Sequence, residues 1–207
     1  MTDPASAPGN GAGKDPGPGL VTGADGLVRC AWGASTPEYV GYHDSEWGRP
    51  IRTDDGLYER LTLEAFQSGL AWITILRKRE NFRAAFAGFS IEKVAGFGTS
   101  DVDRLLADAG IVRNRAKIEA AIANARVAAD LDGGLSAFLW SYAPPPRPAR
   151  PASFASVPAS TPESAAMAKA LRKKGFRFFG PTTAYALMQA TGMVDDHIDG
   201  CHVPPPA

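Results

Sequence analysis

Cysteine is nearly absent: there are two in 207 residues, Cys30 and Cys201, close to opposite ends. A disulfide-dense secreted scaffold is therefore excluded. No apolar run approaches the 18 or so residues that a membrane-spanning helix needs. The Met1 end carries Gly, Pro and Asp where a signal peptide would place Lys or Arg before an apolar stretch. An excess of charge of one sign is also missing, because 22 Lys and Arg balance 22 Asp and Glu. No global basic field announces a polyanionic partner, so any nucleic-acid role must rest on a local basic face. With 44% hydrophobic and 21% charged residues, the expectation is a soluble, cytoplasmic, globular protein without membrane association.

Large apolar side chains are almost missing from residues 1–26, which hold four Pro and seven Gly. Such a stretch buries too little surface to offset chain entropy and is expected to be a disordered arm. A second break, 144–162, has seven Pro in nineteen residues and is expected to be an extended surface connection. The folded unit is therefore placed at 27–203, with 204–207 as a tail.

Alternating strand patterns are hard to find, and helical spacing dominates, so the predicted class is all-α. Asp54 and Asp55 are candidate caps for a helix carrying Leu57, Leu61, Glu64, Ser68 and Ala71 on one stripe. Ser90 and Thr99–Ser100 precede further periodic segments, the second with Gly110 as a left-handed stop. Residues 114–129 present Ile118, Ala121, Ile122 and Ala125 on one face. Thr161–Pro162 is a helix start and Gly175 a stop.

Three constellations carry chemistry. Cys30 and His43 near one end, with His197 and Cys201 near the other, supply two thiolates and two imidazoles, the donor set of a closed, structural zinc site. The alternative is four unrelated residues that happen to lie near the ends, and His202 is a rival donor. Trp32, Tyr39, Tyr42 and Trp47 form an aromatic cluster, and Trp72 follows Glu64 by eight residues, close to the same face if one helix spans both. A carboxylate in an apolar stripe beside aromatic faces suits a flat, hydrogen-bonding, cationic ring. The competing assignment for Glu64 is a salt bridge with Arg60. Finally, Lys173, Lys174, Gly175, Arg177, Gly180 and Thr182 lie in a segment expected to be a helical hairpin near 162–191, whose second helix opens N–H groups to a phosphate. An ordinary hairpin with a solvated basic face would read the same.

Taken together, the strings Arg29–Trp32, Tyr39–Gly48, Leu63–Thr74, Lys78–Asn81, Asp108–Ile111, Lys174–Thr182 and Asp196–Cys201 resemble the 3-methyladenine DNA glycosylase I family, within the helix-hairpin-helix superfamily. The resemblance runs nearly continuously from 29 to 201. It implies an enzyme that flips 3-methyladenine out of alkylated double-stranded DNA and hydrolyses its glycosidic bond, without lyase activity and as a monomer, releasing free 3-methyladenine. A non-catalytic damaged-DNA binder on the same scaffold is the alternative.

The resemblance assigns Cys30, His43, His197 and Cys201 to one structural zinc joining the chain ends. It assigns Glu64, Tyr42 and Trp72 to the excised base, Glu64 and Tyr42 being the catalytic candidates, with Tyr39, Trp47 and Trp32 lining the pocket. Gly69 and Leu70 correspond to the segment that enters the duplex. The superfamily's frequent catalytic aspartate has no assigned counterpart, although Asp195 and Asp196 lie near its expected place.

Overall fold

The computed structural model describes residues 17–205. The chain enters through a two-stranded antiparallel hairpin, β1 (Leu20–Thr22) and β2 (Val28–Cys30), with Leu20 opposite Cys30 and Thr22 opposite Val28. This corrects the expected arm boundary. Residues 17–26 belong to the folded unit, because the β1 backbone finds partners on β2 and Ala31 N–H bonds to Gly19 C=O. The remainder of the arm, 1–16, lies outside the described residues. At the other end Pro204 C=O accepts from Arg49, so the folded unit also reaches past 203.

Among the described residues nine α-helices follow: α1 (Pro37–Ser45), α2 (Asp54–Gln67), α3 (Trp72–Ala85), α4 (Ile91–Ala95), α5 (Thr99–Ala107), α6 (Arg115–Ala129), α7 (Gly134–Trp140), α8 (Pro162–Lys174) and α9 (Pro181–Ala190). The helical class expected from periodicity is what the structure has.

Helix α2 is the axis of the molecule. Nine of its side chains are buried, and α3, α4, α6, α7 and α9 pack around it. Leu57, Leu61 and Phe66 join the main core with Phe82, Phe86 and Leu187. A helix surrounded on this scale has no polar face to spare. Arg60, Thr62 and Glu64 are consequently buried as well.

Several local expectations are corrected. Thr53, not Asp54 or Asp55, is the N-cap of α2. The two aspartates instead serve neighbouring helices, Asp54 accepting from Ser136 N–H in α7 and Asp55 from Ile91 N–H in α4. They supply acceptors to orphan N–H groups at helix starts. Helix α5 ends at Ala107, and Gly110 is not left-handed; Asp108 terminates the helix by turning extended.

Thr161, Pro162 and Gly175 behave as expected. Thr161 caps α8 through Ser164 N–H, Pro162 takes the first helical position, and Gly175 closes the helix with φ +103°. The 144–162 connection runs without a helix up to residue 161, except for one 3-10 turn at Phe154–Ser156, and its last residue, Pro162, opens α8.

The most consequential correction concerns Trp72. The helix carrying Glu64 does not continue to it. Helix α2 ends at Gln67, Gly69 adopts φ +82°, and Trp72 opens α3. Glu64 and Trp72 meet by tertiary packing across a turn.

Candidate functional site

Helices α1, α2 and α9, the start of α3 and the 144–162 connection enclose a cavity of about 260 Å³. Trp32, Tyr39, Tyr42, Trp47, Glu64 and Trp72 all line it. Six residues from three stretches of sequence are thus brought to one place. Its volume lies below the ~300–1,000 Å³ usual for drug-sized ligands and suits a single flat heterocycle.

The walls are aromatic and held edge to face. Trp32 meets Trp47 at 4.9 Å between centroids with planes 78° apart, and meets Tyr39 at 5.7 Å and 85°. Tyr42 and Trp72 are tilted by 44° at 5.4 Å. Such quadrupole-favoured contacts fix the ring planes. The indole N–H of Trp72 is buried and has no acceptor among the described residues.

Glu64 is 5% exposed, and burial pushes its carboxyl up to about 7, with the Arg60 charge pulling the other way. The salt bridge considered as the alternative does not form. Arg60 instead donates to the Tyr42 hydroxyl at 3.1 Å and lies 3.6 Å from Glu46, which in turn chelates Arg79. Glu64 accordingly lines the cavity without a dedicated partner among the described residues. Burial also holds the Tyr42 phenol well above its usual value, and because its oxygen accepts from Arg60 its proton remains available to donate.

Sequence reasoning missed Gln67 and Gln189 and left Asp196 without an assigned role; all three line the cavity. Gln67 lies one helical turn beyond Glu64 and is legible in retrospect. Asp196 is not. Its carboxylate accepts from Tyr185 at 2.7 Å and Gln189 at 2.8 Å, and Arg147 from the proline-rich connection lies 2.6 Å away. Asp195 instead pairs with Arg150 and accepts from the backbone N–H of His197.

Behind the aromatic wall, Cys30, His43, His197 and Cys201 converge, all buried, with donor atoms within 4.8 Å of one another. Cys201 Sγ lies 3.6 Å from both His43 Nε2 and His197 Nδ1. A tetrahedron with Zn–S of about 2.3 Å and Zn–N of about 2.0 Å has S···N edges of about 3.5 Å. The unused ring nitrogens have acceptors, His43 Nδ1 at Asp44 (2.8 Å) and His197 Nε2 at Trp47 C=O (3.3 Å), which leaves the inward nitrogens free to ligate.

The contact with Cys201, reinforced by burial, pushes the Cys30 thiol up. Both thiols ionise together only with a cation between them. The donor set therefore fits a closed, tetrahedral metal site. His202 is not a fifth donor; it bonds to Asp44 at 3.1 Å. Burial alone would raise the Asp44 carboxyl, but hydrogen bonds from Arg29, His43 and His202 together hold it well below its usual range.

The DNA-facing candidates lie on two exposed turns. Gly69 and Leu70 follow α2, Leu70 being 40% exposed. Lys173, Lys174, Gly175, Arg177 and Thr182 are exposed around the turn between α8 and α9, and Gly180 is the N-cap of α9.

Residues 32–204 match the methyladenine glycosylase family. The chain belongs to that family. Among family members, DNA-3-methyladenine glycosylase 1 of Escherichia coli (strain K12) is 45% identical over 179 residues, 84% of this chain and 96% of the relative. A crystal structure of 3-methyladenine DNA glycosylase I shares 45% identity and a TM-score of 0.82, covering 86% of this chain and all of the other. Another, of a 3-methyladenine DNA glycosylase I in complex with 3-methyladenine, shares 34% identity and a TM-score of 0.81, over 86% of this chain and 98% of the other. The family relationship and the geometry agree on the helical scaffold.

Proposed function

We propose that this methyladenine glycosylase excises 3-methyladenine from alkylated double-stranded DNA by hydrolysis, leaving an abasic site. The supporting observation is the buried, unpartnered Glu64 facing a purine-sized aromatic cavity with Tyr42 and Trp72. A cavity that reads only bent backbone has no use for a desolvated carboxylate, which is costly unless a ligand completes it.

Methylation at N3 makes the base cationic while it is still attached to deoxyribose. When the N9–C1′ bond breaks, its electron pair goes to the base, which leaves neutral, and water adds to C1′ and releases a proton. Because the leaving group is good, this chain's residues contribute chiefly recognition and positioning. The lesion is extruded from the stack and enters the cavity. Glu64 attracts the positive charge and accepts from the base edge, Tyr42 donates, and Trp72 stacks while offering its free N–H. Trp32, Tyr39 and Trp47 keep the slot narrow and exclude water. Among the described residues no lysine lines the cavity, so no Schiff base and no lyase step are invoked.

Zinc held by Cys30, His43, His197 and Cys201 would join β2 and α1 to the chain's end and fix Trp47 through His197. Its role is structural. Gly69 and Leu70 enter the duplex, while Lys173, Lys174, Arg177 and the backbone of Gly175, Gly180 and Thr182 grip phosphates. The proposed enzyme acts on DNA as a cytoplasmic monomer. Incubating methylated duplex with the protein and measuring free 3-methyladenine by chromatography tests the function. Release marks the enzyme, and tight binding without release marks the damaged-DNA binder.

A further inference from the structure

Helix α6 touches both exposed turns from the same face. At its start the Lys117 ammonium donates to the carbonyls of Phe66 (2.9 Å) and Ser68 (2.6 Å), at the end of α2 immediately before Gly69 and Leu70. Seven residues on, Asn124 holds the other turn with both ends of its amide, donating to Arg177 C=O at 3.2 Å and accepting from Arg177 N–H at 2.8 Å. Seven residues are almost two full turns, which puts the two side chains on one face, about 10 Å apart along the axis.

Neither contact is a generic helix feature. The carbonyls that Lys117 binds are the partly negative, otherwise open end of α2, and burial lowers the lysine's pKa. Asn124 is 1% exposed, an expensive place for an amide unless its hydrogen bonds are specific. Arg177 precedes Phe178, a non-glycine residue at φ +64°. A left-handed phenylalanine persists only where its surroundings over-determine it, and the two hydrogen bonds from Asn124 to the preceding residue help to do so. Each turn presents a large exposed apolar side chain, Leu70 at 40% and Phe178 at 44%. Lys173, Lys174 and Arg177 surround the second with positive charge, which suits a polyanionic duplex.

We propose that α6 is the brace setting the spacing between the duplex-entering turn and the phosphate-gripping hairpin, with Lys117 and Asn124 as positioning residues. This deepens the proposed function and rests on its assignment of these turns to DNA.

The test uses full-length protein and three measurements: affinity for free 3-methyladenine, affinity for undamaged duplex, and fluorescence of a 2-aminopurine placed beside an abasic-site analogue to report base extrusion. Lys117→Met is expected to leave free-base affinity within about twofold of wild type while extrusion weakens roughly tenfold, the scale of removing one charged hydrogen bond. Lys117→Arg should restore part of the signal. Asn124→Asp, which keeps the acceptor for Arg177 N–H and removes the donor, is expected to weaken duplex binding and leave free-base affinity intact. If Lys117→Met extrudes as wild type does, or loses free-base and duplex affinity in parallel, the brace is overturned. Wild-type protein that binds no free base would overturn the base-excision reading instead, leaving the brace to be judged on duplex binding.

Discussion

The hydroxyl of Tyr39 in α1 accepts a hydrogen bond at 3.0 Å from the backbone N–H of Ile73, the second residue of α3. The N-cap of α3, Ala71, has no side chain able to do this. An aromatic residue of the cavity wall thus caps the helix whose first residue is Trp72. The start of α3, and with it Trp72, is held in place from another helix.

Tyr39→Phe keeps the ring and removes the cap. The loss of stability should be about 1 kcal/mol, the usual worth of an N-cap. Free 3-methyladenine affinity should fall with it, because the Trp72 end of α3 loosens. Thermal melts and fluorescence titration check both, and an unchanged affinity would assign Tyr39 to the wall alone.

Glu64→Gln preserves shape and part of the hydrogen bonding while removing the charge. Affinity for free 3-methyladenine should drop by about 1–3 kcal/mol, as for a buried charged hydrogen bond. Excision at saturating enzyme should fall less steeply, because the cationic base is already a good leaving group. Equal affinities in a Trp-fluorescence titration would mean that the base is read elsewhere.

The same carboxyl predicts a pH dependence of stability. Its pKa is about 7 in the folded chain against an ordinary value of 4.5, so the folded state binds the extra proton between those values. Its contribution therefore declines as pH rises from about 4.5 through about 7, and is flat above. Glu64→Gln should be more stable than wild type at pH 8, by up to about 3 kcal/mol, with the gain vanishing toward pH 4. Denaturant melts at the two pH values decide this.

Purified protein should contain one zinc per chain by elemental analysis. Chelation, or Cys30→Ser with Cys201→Ser, should cost about 3–5 kcal/mol, the scale of releasing so long a closed loop. A metal-free protein with an unchanged melting temperature would remove zinc from the fold.

Reversal of Lys173 and Lys174 to Glu should weaken binding similarly on all duplex sequences. The slope of log K against log salt should become shallower by about 2, one for each phosphate no longer neutralised. Unchanged affinity at fixed salt would move the docking surface off this hairpin.

Features that are local or compositional are readable along the chain alone. Helical spacing over 114–129, the Thr161–Pro162 start and the Gly175 stop are written in consecutive residues, because caps and left-handed turns depend on backbone sterics at single positions. The four residues that converge in the buried Cys/His cluster were legible too, since few residue types can ligate a metal.

What lies between elements was settled by packing in three dimensions. It broke the expected helix at Gly69 and brought Trp72 back onto the cavity from α3. It sent Asp54 and Asp55 to cap other helices, diverted Arg60 from Glu64 to Tyr42 and Glu46, and recruited Asp196, with its Arg147 partner, from beyond a proline-rich loop. A buried polar group takes whichever partner packing brings within about 3 Å, and that choice is made across the fold, where no periodicity along the chain records it.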